Sequence, residues 1–390
     1  MRIKIDNPAD CCGCTACENI CTHNAIQMKP DELGFLYPVI NDNLCIDCGL
    51  CQKVCKFQGK YEPTDSFDEP EVYGARHTNK NELIKSQSGG AFWAFAESLL
   101  NDGFIIYGVG YGKDFHVKHK RIETIEQCQE LRGSKYTQSD LQGIYKEIKA
   151  NLQSGESILF TGTPCQVAGL KSYIPRKLQE NLITIDLVCH AVPSPKIWEA
   201  YVKWLELKYK DRIVSTNFRN KKFGWHAHFE TFILEKSNKE IKRSTFHIFF
   251  SEHLSVRKSC ANCKFTNLKR PGDLTIGDFW GWEKNHTKWN DNKGVSLLLV
   301  NTPKGKSVFE KVNSKLLYSI NSDISSCLQP QLTKPIEINR NQERFTKEFV
   351  REGFDYIAKK YADGNIAYKI KQLSNFPLRV VRKIINIIRK

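Results

Sequence analysis

Two cysteine runs near the start of the chain decide its reading: Cys11-Cys12-Gly13-Cys14-Thr15-Ala16-Cys17-Glu18-Asn19-Ile20-Cys21 and Cys45-Ile46-Asp47-Cys48-Gly49-Leu50-Cys51-Gln52-Lys53-Val54-Cys55. Each follows the spacing C-x2-C-x2-C-x3-C, with Cys12 as an extra thiol beside the first ligand position. A cubane iron–sulfur core needs four thiolates arriving from tetrahedral directions. Gaps of two residues bring three sulfurs round one face of the cube, and the fourth ligand comes from the other run. Cys11, Cys14, Cys17 and Cys55 are therefore expected to hold one [4Fe–4S] cluster, and Cys21, Cys45, Cys48 and Cys51 the other.

This is the spacing of the bacterial two-cluster ferredoxin module, with one further departure. Proline usually follows the fourth cysteine of each run, whereas Thr22 and Lys56 stand there in this chain. No ligand is lost, but the local turn and the redox potential are left open. Zinc ribbons and disulfides are the competing readings. Zinc sites rarely use tandem three-cysteine runs with cross-pairing. The opening MRIKIDNPAD also lacks the apolar core of a signal peptide, so an oxidising destination is not expected.

The whole chain has 390 residues, 41% hydrophobic and 26% charged, with no apolar run of membrane-spanning length. Two or three domains and a sizeable core are expected. With 15 cysteines, the reduced cytoplasm is the expected compartment and ligation the expected use of the thiols. The net charge of +15 is unevenly placed: residues 1–60 carry six Lys/Arg against seven Asp/Glu. The surplus lies beyond residue 60. It is compatible with nucleic acid, an anionic membrane, an acidic partner or an anionic substrate, or with a merely solvated surface.

Residues 1–60 read as a ferredoxin-like domain, and 61–71 (YEPTDSFDEPE) as a linker with little to bury. From residue 72, strands alternate with helices, predicting a mixed α/β core with ligands at the strand carboxyl ends. Its first part, 72–160, contains SQSGGAFWAFAESLL. Ser88, Gly89 and Gly90 there precede a helix whose bare N–H groups suit an anion, although a tight turn is the plainer reading. SILFT (157–161) leads into its second part, 161–330, at Gly162-Thr163-Pro164-Cys165, followed by ITIDLVCH ending at Cys189-His190. Residues 212–250 read as strands, with His226 and His228 alternating on one of them. Residues 331–390 read as a basic helical tail. Its last part, 364–390, holds seven Lys/Arg and no acid, as a helix lying on an anionic membrane surface or packed on the protein itself.

Four more cysteines attract notice: Cys165 and Cys189 at strand ends, and the C-x2-C pair Cys260 and Cys263. They are enough for a further metal site. Buried apolar thiols and a zinc site remain alternatives on spacing alone.

The segments SQSGGAFW, RGSKYTQ, FTGTPCQVAGLK, LVCHAVPSP, SCANCKF and GDFWG, in this order behind the paired cysteine runs, resemble the coenzyme F420 hydrogenase/dehydrogenase beta-subunit family. The resemblance covers roughly residues 1–320 and leaves out the C-terminal tail. It implies an FAD-binding core with a third [4Fe–4S] cluster on Cys165, Cys189, Cys260 and Cys263. It also implies a flavin lined by Gly89, Gly90, Lys135, Tyr136, Gly162 and Thr163, with Ser88 beside them. Lys135 and His190 are the candidate proton donors, and a structural hydrogen bond is the plainer role for His190.

A flavin exchanges electrons with both one-electron and two-electron partners. The resemblance therefore implies an iron–sulfur flavoprotein oxidoreductase working between a one-electron carrier such as ferredoxin and an organic substrate. An electron-transfer subunit serving coenzyme F420, a deazaflavin, for a partner enzyme is the alternative. A nucleic-acid-binding protein with structural clusters is the remote one. It predicts salt-dependent binding, and the cysteine-bearing loops argue against it.

Overall fold

A computed structural model describes residues 2–59 and 61–363 of the chain. The N-terminal module holds β1 (Ile26–Pro30) and β2 (Leu36–Ile40), an antiparallel pair with Ile26 opposite Ile40. Two short helices, Ala16–Ile20 and Leu50–Val54, complete it.

The main sheet is built from β3 (Glu71–His77), β4 (Ile105–Tyr111), β5 (Val117–Ile122), β6 (Ile158–Gly162) and β7 (Leu182–Leu187). After a separate antiparallel sheet of β8 (Ile213–Asn217), β9 (Glu230–Leu234) and β10 (Glu240–Arg243), the chain adds β11 (Leu274–Asp278), β12 (Ser296–Val300) and β13 (Leu317–Ser322). The order is β13-β3-β12-β11-β7-β6-β4-β5. The central four strands, β11, β7, β6 and β4, run parallel, and β12, β3, β13 and β5 are antiparallel flanks. Strands 72–160 and 161–330 thus interleave in one sheet. Every residue of β6 and β12 is buried, as expected for apolar strands covered on both faces.

Alternate residues along each strand face opposite sides. Ile106 and Leu159 meet Phe95 and Leu99 of helix Ala91–Asn101 together with Phe309 and Val312. On the other face Ile105, Tyr107, Ile158 and Phe160 share a core with Tyr145, Val167 and Leu170, and also with Ala16, Cys17, Ile26, Cys51 and Val54. The cysteine-rich module is therefore packed onto the sheet. It does not hang from a tether. The supposed linker 61–71 is also tied down: Tyr61 sits edge-on to Phe265 at 4.9 Å, and the Phe67 N–H donates to the Asn301 carbonyl. Aromatic side chains anchor what its acids and prolines made look loose.

Two other expectations change. Residues 331–363 are not a separate tail. Helices Gln342–Glu352 and Phe354–Ala358 bury Phe345, Phe349, Phe354 and Ile357 against Trp198, Tyr201 and Phe249, because their apolar residues recur on one helical face. The expected basic helix at 364–390 lies outside the described residues. Within 212–250, residues 245–251 form helix Thr245–Ser251, and His226 and His228 sit in the irregular stretch before β9. There His228 stacks on His247 at 4.8 Å. No helix among the described residues is long and apolar enough to cross a membrane.

Candidate redox site

The two cysteine runs fold as near-copies. Each enters its helix through a left-handed residue, Thr15 (φ 62) or Gly49 (φ 76). Each carries its third cysteine inside the helix and its fourth at the C-cap, with φ/ψ of −74/103 at Cys21 and −76/100 at Cys55. The extended C-cap that a following proline would favour is reached with Thr22 and Lys56 in its place. Backbone N–H groups point at the sulfurs: Gly13 to Cys11 at 3.4 Å, Ala25 to Cys21 at 3.3 Å, and Ile3 to Cys51 at 3.3 Å. Such bonds stabilise thiolates and tune cluster potentials.

The two sets differ in burial. Cys11 and Cys17 are buried, and the Cys17 thiol is pushed well up by burial and then by Cys14, Cys11 and Cys55. These four expected ligands therefore face one another. In the other set Cys48 is exposed, among exposed Leu44, Ile46 and Leu50.

The later cysteines also converge. Cys165 is the second residue of helix Pro164–Tyr173, Cys189 lies just beyond β7, and Cys260 and Cys263 bracket the end of the turn Lys258–Asn262. Burial, then Cys260, Cys165 and Cys263 in turn, hold the Cys189 thiol far above its usual range. Contact with Cys12, and the Thr163 hydroxyl at 3.2 Å, pull Cys165 down to about 7 against the effect of burial. Four mutually facing thiols with no carboxylate among them fit a thiolate-held iron–sulfur group. Among the described residues, no three His, Cys, Asp or Glu side chains group tightly enough for a single metal ion, so the zinc reading gains no support.

Next to Cys189 a cavity of about 280 Å³ opens at the carboxyl ends of the parallel strands, where α/β sheets bind ligands. Ser88, Gly90, Lys135, Tyr136, Gly162, Thr163 and His190 all line it. Gly89 does not. A Cβ there would lie 2.0 Å from the Ala75 carbonyl oxygen and 2.5 Å from the Ser296 nitrogen, so that glycine serves the close approach of β3 and β12. Gly90, at φ +89, starts helix Ala91–Asn101 and leaves its N-terminus on the cavity. The Ser88 hydroxyl donates to the Val295 carbonyl, and the Ser88 carbonyl accepts from Lys221 Nζ at 2.6 Å.

Burial, assisted by neighbouring Lys120, pushes Lys135 down to about 7. Its Nζ donates to the carbonyls of Glu130 and Arg132 at 3.0 and 2.8 Å. Burial pushes His190 down to about 4, so its imidazole is neutral at physiological pH.

Asp278, Arg132 and Trp93 also line the cavity, and each has a partner that the fold supplies. Arg219 pairs with Asp278 at the end of β11, whose other oxygen accepts from Trp225 Nε1, and Arg219 also reaches the Tyr136 hydroxyl at 3.4 Å. The guanidinium of Arg132 lies 3.4 Å over the Trp93 ring and pairs with Glu82. The segment GDFWG contains Asp278, but its partner is 59 residues away in sequence, and only the fold joins them.

Residues 10–58 match the model of the 4Fe-4S dicluster domain. Residues 155–323 match the model of the C terminus of the coenzyme F420 hydrogenase/dehydrogenase beta subunit. No curated protein matches the sequence. Among solved structures, a chain of the F420-reducing [NiFe] hydrogenase complex from Methanosarcina barkeri is 19% identical, with a TM-score of 0.45. The match covers 77% of this chain and 94% of that one. The dicluster-domain match thus precedes, in one chain, a match to the C terminus of the coenzyme F420 hydrogenase/dehydrogenase beta subunit.

Proposed function

We propose that this protein is an iron–sulfur flavoprotein oxidoreductase, passing electrons between a one-electron carrier and a two-electron substrate. In this reading FAD occupies the cavity, and Cys165, Cys189, Cys260 and Cys263 hold a third [4Fe–4S] cluster beside it. The observation that carries the reading is a shared wall: Cys189 lines the cavity, and Thr163, which lines it too, touches Cys165. FAD supplies exchange between two-electron and one-electron chemistry.

The chain's own residues have defined parts in it. The N-terminus of helix Ala91–Asn101 offers N–H groups to an anionic oxygen, and Gly90 keeps that approach free of a side chain. Arg132, flat on Trp93, supplies positive charge to the same wall. Lys135 Nζ, with its pKa near 7, is the group able to exchange a proton at neutral pH. His190, neutral, serves as a hydrogen-bonding group and not as an acid. The exposed Cys48 edge is where an external carrier such as ferredoxin would reach the clusters.

Coenzyme F420 as the two-electron partner, with this chain serving another enzyme, is the second reading. The family match over 155–323 favours it. Iron, labile sulfide and flavin per chain after anaerobic purification test the main reading. About twelve irons with one FAD, bleached by dithionite, are expected. About eight irons and no flavin would withdraw the relay. Reduced coenzyme F420 leaving the flavin spectrum unchanged would remove the second reading.

A further inference from the structure

Four arginines are buried among the described residues: Arg76, Arg219, Arg257 and Arg270. Three have carboxylate partners, Arg76 with Asp291, Arg219 with Asp278 and Arg270 with Asp186. Arg257, at 0% exposure, makes no ion pair with any described carboxylate. Its guanidinium donates only to neutral oxygens: the Cys11 carbonyl at 2.8 Å, Gln138 Oε1 at 2.9 Å and the Leu36 carbonyl at 2.8 Å. Gln138 in turn donates to the Cys12 carbonyl at 2.9 Å, and the Tyr37 ring stacks at 4.2 Å. Gly13 makes room, since a Cβ there would lie 2.9 Å from Arg257 Nη1. A buried cation without an anion is expensive, and the fold goes to some length to keep this one.

It stands among the cysteines of both sets: Nε holds the Cys11 carbonyl, Nη1 lies against Gly13 beside Cys14, and the Cys260 N–H donates to the Arg257 carbonyl at 3.0 Å. The two sets meet in one apolar cluster, where Cys12 packs with Cys14, Cys55, Cys165 and Cys263. We propose that Arg257 is the shared counter-cation of two thiolate-held clusters, raising the reduction potential of both and leaving the exposed Cys48 cluster unaffected. The claim for the later set rests on the third cluster proposed above. A cluster with four thiolates is anionic and gains one negative charge on one-electron reduction, with no bond made and no proton taken up. A fixed nearby cation stabilises the reduced form more than the oxidised one. Arg257 is thus a positioning and tuning residue, since it touches the cysteine backbone and none of the iron-binding sulfurs.

Midpoint potentials of each cluster in the full holoprotein, read by EPR during anaerobic titration, test this in Arg257→Gln and Arg257→Lys. Gln removes the charge, and the expected result is at least a tenfold loss in the reduction equilibrium of two clusters, 59 mV for a one-electron couple, with the third unmoved. Lys keeps the charge and should hold all three near their original values. If only about eight irons are present, one midpoint should fall and one stay. That outcome retires the third cluster while sustaining the role of Arg257 at Cys11 and Cys14. Unchanged potentials in a fully loaded Gln variant, or an equal shift of every cluster, would overturn the proposal. Loss of iron in Gln with full loading in Lys would support it. Loss in both would make the guanidinium's shape, not its charge, the requirement, and would overturn it.

Discussion

Gly89→Ala separates a structural glycine from a ligand-binding one. Its added Cβ would sit 2.0 Å from the Ala75 carbonyl oxygen and 2.5 Å from the Ser296 nitrogen, where ordinary contact begins at 3.4 Å. Ala75 and Ser296 face each other as partners in the pairing of β3 with β12. Both obstructing atoms are backbone, so no side chain can swing aside, and one strand must back away by about 1.4 Å. Overpacking of this kind costs about 1–3 kcal/mol. Weakening one or two ladder hydrogen bonds adds about 0.5–1.5 kcal/mol each. A total of roughly 1.5–6 kcal/mol is a large part of the roughly 5–15 kcal/mol that holds a typical protein together. Anaerobic thermal unfolding should show a midpoint lower by on the order of 5 °C or more. Under the proposed function, flavin content per folded molecule should match the wild type, because Gly89 does not line the cavity. An unchanged midpoint with the flavin lost would refute this assignment and return Gly89 to the ligand.

If the proposed third cluster is present, replacing Cys165 by Ser should lower iron by about four per chain and leave the EPR signals of the dicluster domain in place; iron analysis and EPR check this. Under the proposed function, flavin reduction in the wild type should slow as pH rises through about 7, and Lys135→Met should lack that dependence, measured by stopped flow. The same residue has a stability signature. The folded protein releases the Lys135 proton at about 7 while the unfolded chain keeps it into the ordinary lysine range, so wild-type stability rises with pH across that window. Denaturation midpoints of the Met variant should lack this rise. Asp186→Asn would leave the Arg270 guanidinium, 1% exposed, with a neutral partner. A loss of about 3–5 kcal/mol is expected from denaturant unfolding, and an unchanged midpoint would contradict the role given to that ion pair.

The cysteine runs were legible because ligation imposes a spacing within about ten residues, and their repeated turn geometry follows from that same local pattern. The mixed α/β core was legible for a similar reason, since β6 and β12 are short, mostly apolar runs that end up buried throughout. What sequence could not supply is which way a residue faces at a turn. Gly89 and Gly90 are neighbours of one type, yet one is squeezed by backbone and the other opens on the cavity. Pairing across distant elements was equally invisible. Arg219 with Asp278, and Arg257 with the Cys11 carbonyl 246 residues away, are joined only by the packing of the module on the sheet. The apolar face of 342–357 could have been read, because Phe345 and Phe349 fall one helical turn apart. The basic stretch after it drew attention away.

The packing also explains why the dicluster domain is fused to this core and shares its interior. Helix Pro164–Tyr173 carries Cys165 in its first turn, and one turn later, on the same face, presents Gly169, where a Cβ would lie 2.9 Å from Cys14 Sγ. A single rigid helix therefore fixes the separation between the two thiol sets, and a side chain at 169 would push them apart. Electron exchange weakens steeply with distance, so a separation held by one helical turn makes the passage between them insensitive to motion of the rest of the chain. Adjacency then orders the route under the proposed function. Cys48 meets solvent, the Cys11 set meets the Cys165 set around Cys12, and the cavity opens at Cys189. A loosely tethered domain would need to dock for each electron. This one is already docked, through the same apolar residues that close the core of the sheet.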